Sequence, residues 1–191
     1  MKRSALPVAV LAVACLACAP SREAPAQSAP APAAGAPAQP AQATQAAGWH
    51  QPRPGLLTGG QPSPADWATL KAQGVAMVVN LRPDSEMAGR NEGAEVAAAG
   101  MAYVGIPVAG ADAIDADRAR RLWTLLKVSG GPVFVHCASG NRAGALLALG
   151  AAQSGGMTPE AALEFGRRAG LTSLEPVVRE RLGLPPQPAP R

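Results

Sequence analysis

The sequence has few aromatic residues, few cysteines and few histidines. Its 191 residues include three tryptophans, one tyrosine, two phenylalanines, three cysteines and two histidines. So few aromatic rings argue against a deep pocket lined by them. Cys15 and Cys18 fall in an apolar N-terminal segment, which leaves Cys137 as the expected thiol of the mature domain. An intramolecular disulfide is therefore excluded there, even in an oxidising compartment.

A strong charge of either sign is also missing. The formal net charge is +4, and Lys2 and Arg3 contribute two of these charges at the extreme N-terminus. The one short basic run, residues 118–121, lies beside Asp115 and Asp117, as expected for a solvated helix face. We therefore expect no nucleic-acid partner.

The first 18 residues have the pattern of an export signal. Lys2 and Arg3 precede an apolar run that is too short to span a bilayer comfortably. Small or apolar residues precede both Cys15 and Cys18, which resembles a bacterial lipoprotein signal, in which such a cysteine becomes the lipidated first residue. We expect a periplasmic lipoprotein attached to the membrane through one of these cysteines. A soluble periplasmic protein and a retained single anchor are the alternatives.

The chain divides by composition into a signal, a linker, one domain and a tail. Residues 19–48 consist almost entirely of Ala, Pro, Gln, Ser and Gly, and residues 185–191 are similar. Such segments have no large apolar side chains to bury and are expected to be unstructured. The predicted domain is 49–184, which is long enough for one hydrophobic core, and we expect it to be a monomer.

Strands and helices are expected to alternate along this domain. Apolar runs predict strands, and Ser63, Asp115 and Thr158 are suited to cap helices. Strands separated by helices indicate an α/β fold with a mostly parallel central sheet flanked by helices. Strands are predicted at 55–60, 75–81, 101–106 and 133–136, and helices at 64–73, 91–99, 115–128, 142–154, 158–169 and 173–182.

The segment VFVHCASGNRAG, residues 133–144, carries the strongest functional signal. Its turn links a buried strand to a helix, so its backbone N–H groups and the helix N-terminus should face one centre and bind an anion. The partial positive charge of these N–H groups and of the helix N-terminus also favours the thiolate form of a cysteine at the start of the turn. Arg142 can clamp two anion oxygens with its planar fork. Cys137 is then the nucleophile of covalent catalysis on an anionic group, for which phosphate is the natural candidate.

The other residues of this turn are expected to contact the substrate. His136 orders the turn through hydrogen bonds or favours the thiolate of Cys137, and Arg82 on a neighbouring loop could help to hold an anion. Arg82 could equally be an ordinary surface arginine, and His50 is expected to be a surface residue. The predicted substrate-binding residues are His136, Ala138, Ser139, Gly140, Asn141 and Arg82.

HCASGNRAG resembles the signature of the protein tyrosine and dual-specificity phosphatase superfamily, in which His-Cys is followed by five residues and Arg. The segments GLLTGGQPSPADWATLKAQGV, VVNLRPDSE and AAAGMAYVGIPV are similar to the compact bacterial branch, the phosphatase-like domains of beta-lactamase hydrolase-like proteins. The resemblance covers about residues 55–182. It implies a phosphatase-like fold and hydrolysis of phosphomonoesters without a metal or other cofactor.

The resemblance also implies a general acid on the loop that precedes the signature strand. Asp112 on the loop 107–113 fits this role, with Asp84 as the alternative, and it is also open whether the chain has such an acid. Asp115 is better explained as a helix cap. The predicted catalytic residues are Cys137, Arg142 and Asp112.

Two positions depart from the phosphatase pattern. Four residues, rather than five, separate Cys137 from Arg142, and Ala143 stands where phosphatases commonly have Ser or Thr. The shorter spacing is that of rhodanese-like sulfurtransferases, in which the cysteine carries a persulfide. The prediction is a secreted cysteine-dependent phosphatase. The alternatives are a sulfurtransferase and a phosphoester-binding module with little turnover, and the class of phosphorylated substrate stays open.

Overall fold

The computed structural model of the protein describes residues 48–187. They contain one five-stranded sheet with the order β1-β2-β5-β3-β4. Strand β1 is antiparallel to β2, and the other three pairs of neighbours are parallel. This confirms the predicted α/β fold with a mostly parallel sheet. The strands are β1 (His50–Arg53), β2 (Leu56–Gly59), β3 (Met77–Asn80), β4 (Ala102–Gly105) and β5 (Val133–His136).

The helices of this part of the chain begin close to the predicted positions. They are α1 (Asp66–Ala72), α2 (Glu92–Ala98), α3 (Ala116–Val128), α4 (Asn141–Ser154), α5 (Pro159–Arg168) and α6 (Glu175–Arg181), with a 3-10 turn at Asp84–Glu86. The side chains of Asp115 and Thr158 accept the backbone N–H of the third residue beyond, which confirms both predicted caps. The predicted cap at Ser63 is wrong. Helix α1 begins later, because Ser63 donates its N–H and its hydroxyl to the Asp66 carboxylate, both at 2.7 Å.

The sheet is covered on both faces, because side chains alternate along each strand. Val133 and Val135 face the larger group of helices, α3 to α6, whereas Phe134 belongs to a second cluster with Trp67 of α1 and Val96 of α2. This alternation continues past the strand: the His136 ring stacks on Phe134 with centroids 5.6 Å apart, and Cys137 belongs to the larger cluster. The side chains of the adjacent residues His136 and Cys137 therefore lie on opposite faces of the sheet.

Helix α4 lies very close to the last turn of α5 and the residues that follow it. A β-carbon at position 144 would be 2.3 Å from the Leu171 nitrogen and 2.7 Å from the Gly166 oxygen, so only glycine allows this approach. The buried Thr58 hydroxyl also donates to Ala169 O at 2.9 Å and ties the same segment to β2. The first turn of α4 is thus packed against a segment that is itself tied to the sheet.

Strand β1 is absent from the prediction. His50 is exposed, as expected, but lies on this strand at the edge of the sheet. The proposed signal 1–18, nearly all of the linker 19–48 and the end of the tail 185–191 lie outside the described residues. Within residues 48–187, no helix is both long and apolar enough to cross a membrane.

Candidate active site

The site is built where β5 meets α4. Strand β5 ends at His136, Cys137 follows, and α4 begins at Asn141 after Gly140, which has a φ of 91°. The turn at residues 137–140 directs the Gly140 N–H to the Cys137 sulfur, to which it donates at 3.1 Å. The left-handed conformation of Gly140 then lets the chain enter α4. The Cys137 side chain is only 1% exposed. One backbone donor therefore already points at the sulfur from inside the turn.

The segment that follows β2 supports the loop from behind. Cys137 N–H donates to Gly59 O at 3.3 Å, and Gln61 N–H donates to Ala138 O at 3.4 Å. Gly60 pairs with Ser139, and a β-carbon on Gly60 would be 3.0 Å from Ala138 O. A side chain at position 60 would therefore push the loop outward.

The side chains of Ala138, Ser139 and Asn141 have different surroundings. Ala138 and Ser139 are exposed at the outer rim of the loop. The Asn141 amide is used within the fold: its oxygen accepts the N–H of Thr172 at 2.8 Å, and its nitrogen donates to the Ser173 hydroxyl at 2.7 Å. Asn141 can therefore offer an anion its backbone N–H rather than its side chain.

Arg142 is held by Glu86, a residue that the sequence interpretation did not include in the site. Its Nη1 and Nη2 donate to the two Glu86 carboxylate oxygens at 2.8 and 2.7 Å, and Nη1 also donates to Val108 O at 2.8 Å. These bonds to Glu86 are the largest cause of the raised pKa of Arg142, which burial opposes and the nearby Cys137 sulfur supports. In turn, the hydrogen bond from Arg142 lowers the pKa of Glu86.

This geometry leaves one edge of the guanidinium available. Nη1 has used both hydrogens and Nη2 has used one, so Nε–H and the second Nη2–H have no oxygen partner among residues 48–187. These two groups are parallel donors with the spacing that suits two oxygens of one anion. Arg142 can therefore bind Glu86 at one edge and an oxyanion at the other.

Arg82 reaches the site through Glu86. Its Nε lies 3.3 Å from Glu86 Oε2, its Nη2 donates to Glu86 O, and its Nη1 donates to Gln61 Oε1 at 2.5 Å. The side chain is 18% exposed, so the interpretation as an ordinary surface arginine does not fit. In this arrangement Arg82 orients the carboxylate that orients Arg142. Direct contact with a substrate stays a prediction.

His136 is paired with Glu92 on the other face of the sheet. Its Nε2 donates to Glu92 Oε1 at 2.8 Å, and both side chains are 0% exposed. Burial raises the pKa of Glu92, but the hydrogen bonds and charges of its partners, His136 first among them, outweigh burial and lower it overall. Glu92 also accepts from Gln61 Nε2. His136 thus anchors the start of the loop, as one of its two predicted roles requires.

The two candidate acids are both exposed. Asp112 lies in a turn on the loop between β4 and α3, and Asp84 lies in the 3-10 turn that also carries Glu86. Three arginines hold the Asp112 loop by its backbone: Arg118 donates to Pro107 O at 2.9 Å, Arg142 to Val108 O at 2.8 Å and Arg181 to Ala111 O at 3.4 Å. Arg142 connects this loop to the cysteine loop, residues 137–142, but through Glu86 it is also bonded to the turn that carries Asp84. The choice of Asp112 as the acid therefore stays a prediction.

Glu86, Glu92 and Gln61 were missed for one reason. Each has a partner far away in sequence, and each looks ordinary locally: an acid in a short turn, an acid in the first turn of a helix, and a polar residue after a strand. Only the strand order that brings β2, β3 and β5 together reveals them. Within residues 48–187, no group of three His, Cys, Asp or Glu side chains is placed to hold a metal ion.

A mostly parallel sheet with a thiol, an inward-facing amide and a clamped arginine at one strand–helix junction defines a phosphatase-like α/β domain of the cysteine-dependent class. Comparison with known families agrees with this conclusion. The sequence model for the phosphatase-like domain of beta-lactamase hydrolase-like proteins matches residues 53–154, and the chain belongs to this family. The resemblance deduced from the signature is confirmed.

Curated relatives agree with this family assignment. The chain is 39% identical over 119 residues to a beta-lactamase hydrolase-like protein of Agrobacterium fabrum, which covers 60% of this chain but 27% of the relative. It is 33% identical over 119 residues to a protein of the same name from Xylella fastidiosa, again covering 60% of this chain and 27% of the relative. The chain thus spans about a quarter of the length of these curated relatives.

Among solved structures, one described as a candidate phosphatase from Shewanella putrefaciens is 26% identical, with a TM-score of 0.55, and the match covers 73% of this chain and 94% of that one. TpbA from P. aeruginosa, solved as a cysteine-to-serine variant with phosphotyrosine, is 20% identical, with a TM-score of 0.52. That match covers 76% of this chain and 93% of TpbA. At this identity it supports the fold alone.

Proposed function

We propose that the protein hydrolyses phosphomonoesters through a phosphocysteine on Cys137. The observation that carries this proposal is the position of the Cys137 sulfur, which lies 3.1 Å from the Gly140 nitrogen and beside an Arg142 that is held by Glu86. A phosphoryl group attached to that sulfur would place its oxygens near the inward N–H groups and the available edge of Arg142. Hydrogen-bond donors that are in place before the reaction are effective at stabilising the negative charge that develops on the phosphoryl oxygens in the transition state.

The reaction takes place in two balanced steps. The Cys137 thiolate attacks phosphorus, the bond from phosphorus to the ester oxygen breaks, and Asp112 gives its proton to the departing alcohol. Water then attacks the phosphocysteine and transfers a proton to the Asp112 carboxylate, the sulfur–phosphorus bond breaks, and inorganic phosphate leaves with the thiolate restored. Asp112 acts as acid in the first step and as base in the second.

The substrate is recognised mainly by its phosphoryl group. Five of the six aromatic side chains are buried in the two cores (Trp49, Trp67, Trp123, Phe134 and Phe165), and Tyr103 is half-buried and bonded to Asn80. None is left exposed beside the loop to stack on an aryl ring. We therefore expect similar kcat/KM values for aryl phosphates and for alkyl phosphates of similar leaving-group pKa.

Phosphate release by the purified protein from p-nitrophenyl phosphate tests this function. Cys137→Ser should abolish it, because a hydroxyl at this site is a much weaker nucleophile than a thiolate. The variant should still bind inorganic phosphate, which serves as the control for an intact site. Phosphate release that is equal in Cys137→Ser and the wild type would refute the proposal.

The acid is tested separately by the pH dependence of kcat/KM. Asp112→Asn removes the proton that is needed by a poor leaving group. The basic limb of the profile should disappear, and the loss in rate should be largest, about 10²–10⁴-fold, for alkyl phosphates. An unchanged basic limb would show that Asp112 is not the acid, and Asp84→Asn then becomes the next variant to measure.

The spacing of four residues between Cys137 and Arg142 favours one competing function, transfer of sulfur. In that reaction the Cys137 thiolate takes the outer sulfur of thiosulfate and releases sulfite, and cyanide then removes the sulfur as thiocyanate. Thiocyanate formation that depends on Cys137, with no phosphate release, would favour a sulfurtransferase. Phosphate binding without either activity would identify a binding module.

Export and lipidation stay proposals about residues outside the described part of the chain. Cell fractionation should place the protein in the membrane fraction, and mass spectrometry of the mature N-terminus should show a lipid on Cys18 or Cys15. Replacing the lipidated cysteine by serine should release the protein from the membrane. A soluble mature protein would contradict this localisation.

A further inference from the structure

Gln61 has no role in the reaction described above, although it lies directly against the cysteine loop. Its backbone N–H donates to Ala138 O at 3.4 Å. Its side chain connects two charged groups that share no hydrogen bond with each other among residues 48–187: Nε2 donates to the Glu92 carboxylate, and Oε1 accepts from Arg82 Nη1 at 2.5 Å. The amide of Gln61 therefore bridges the Glu92 carboxylate and the Arg82 guanidinium.

The two charged neighbours of Gln61 lead to the two ends of the loop. Glu92 accepts from His136, the residue immediately before Cys137. Arg82 bonds to Glu86, and the Glu86 carboxylate clamps Arg142. The resulting contacts form a continuous chain from one end of the loop to the other, namely His136, Glu92, Gln61, Arg82, Glu86 and Arg142.

The chemistry of this position suits an amide. A carboxylate only accepts hydrogen bonds and a guanidinium only donates them, so the connecting group must donate on one side and accept on the other. The side chain of Gln61 does both and fixes its own orientation by doing so. A methionine has a similar length but cannot donate and accepts only weakly, and a glutamate would oppose the Glu92 carboxylate.

We propose that Gln61 is a positioning residue that couples the start of the cysteine loop to its end. A change at Glu92 is then transmitted through Gln61, Arg82 and Glu86 to the orientation of Arg142 and to its hold on an anion. Partly buried polar networks of this kind act as a unit, because each hydrogen bond orients the next. The inference rests on the anion site of the proposed function and does not depend on turnover.

The rates at which iodoacetate and iodoacetamide alkylate Cys137 measure this effect. Both reagents lose iodide to the same thiolate, but only iodoacetate has a carboxylate for Arg142 to bind. The ratio of the two rate constants, followed by mass spectrometry of the peptide that contains Cys137, therefore reports how well Arg142 holds an anion. Differences in thiol reactivity alone cancel in the ratio.

Gln61→Met should lower this ratio about tenfold, the effect of losing one hydrogen bond to a charged group. Gln73→Met is the matched control. Gln73 is a half-buried glutamine at the end of α1, and its Nε2 has no hydrogen-bond partner within the described residues. The control should leave the ratio unchanged. An unchanged ratio in a folded Gln61→Met protein would overturn the proposal.

The coupling itself is tested with Glu92→Gln in two backgrounds. This substitution puts an NH2 group opposite Gln61 or His136, so it should lower the ratio in the wild type and have no further effect in Gln61→Met. Equal effects in both backgrounds would mean that Gln61 does not transmit the change. If Gln61→Met does not fold, Gln61→Asn replaces it, because it keeps the amide but shortens its reach.

The two proposals fail in different ways. A wild-type protein that releases no phosphate, but whose alkylation ratio falls in Gln61→Met, would refute the phosphatase and support the coupling. A protein that releases phosphate and whose ratio does not respond to Gln61→Met would refute the coupling alone.

Discussion

Replacing Gly144 by alanine tests how closely the helix that carries Arg142 must approach the rest of the domain. The new β-carbon would lie 2.3 Å from the Leu171 nitrogen, 2.7 Å from the Gly166 oxygen and 2.8 Å from the Leu171 Cα. All three are backbone atoms, which cannot rotate away as a side chain can. An ordinary contact begins at 3.4 Å, so helix α4 and the segment 166–171 must move apart.

The size of the effect follows from two opposing terms. Overpacking a well-packed core costs about 1–3 kcal/mol, and contact with backbone places this site at the upper end. Alanine is about 1 kcal/mol better than glycine inside a helix, which offsets part of the cost. The net loss in the free energy of unfolding is then about 2 kcal/mol, and a domain of this size should melt about 6–10 °C lower.

Thermal and guanidinium unfolding followed by circular dichroism measure this loss, with Gly150→Ala as the control on the same helix. A β-carbon at position 150 would be 3.1 Å from a Trp123 side-chain atom and from Ala119 O, a much milder contact. Its unfolding free energy should change by less than about 1 kcal/mol, because helix propensity and crowding nearly cancel. A Gly144→Ala protein as stable as Gly150→Ala would refute the close approach.

The same variant should also affect the site. The segment that must move continues into Thr172 and Ser173, which hold the side chain of Asn141 in the cysteine loop. We therefore expect kcat/KM to fall more in Gly144→Ala than in Gly150→Ala, even at a temperature where both are folded.

Two further variants test the charged pairs. Glu86→Gln removes the charge that clamps Arg142 and should lower kcat/KM about tenfold or more, since hydrogen bonds to charged groups contribute about 1.5–3 kcal/mol; an unchanged kcat/KM for p-nitrophenyl phosphate would contradict the clamp. Glu92→Leu leaves the buried Nε2–H of His136 without its partner and should cost about 1–3 kcal/mol of unfolding free energy at pH 7. The pKa of Glu92 is lowered from its ordinary value of 4.5, so its stabilisation is present above that pH and is lost as the pH falls below it. The stability gap between Glu92→Leu and the wild type should therefore narrow below pH 4.5 in urea titrations, and a constant gap would count against an ionised Glu92 in the folded protein.

The elements that local chemistry specifies were predictable. Apolar runs marked β2 to β5, and Asp115 and Thr158 marked the helices they cap. Strand β1 was missed because its sequence, HQPR, has no apolar alternation and contains a proline. It is a strand only because β2 offers it an edge to pair with.

The site was predictable as far as it is continuous in sequence. Cys137, Gly140 and Arg142 are close in the chain, and their arrangement follows from a strand, a turn and a helix. Glu86 is 56 positions from Arg142 and Glu92 is 44 from His136, so no local pattern links them. The side chain of Asn141 was assigned to the substrate on position alone, whereas long-range packing directs it to Thr172 and Ser173.

The residues of the cysteine loop divide into those whose side chains or backbone are held by the domain and those whose side chains are free at its rim. Cys137, Gly140, Asn141 and Arg142 are each held by contacts inside the domain, whereas the side chains of Ala138 and Ser139 are exposed and take part only through their backbone. Substitutions at positions 138 and 139 should therefore cost little stability while they change the surface that an approaching ester meets. These two positions are where selection, natural or in the laboratory, can alter substrate preference without rebuilding the domain.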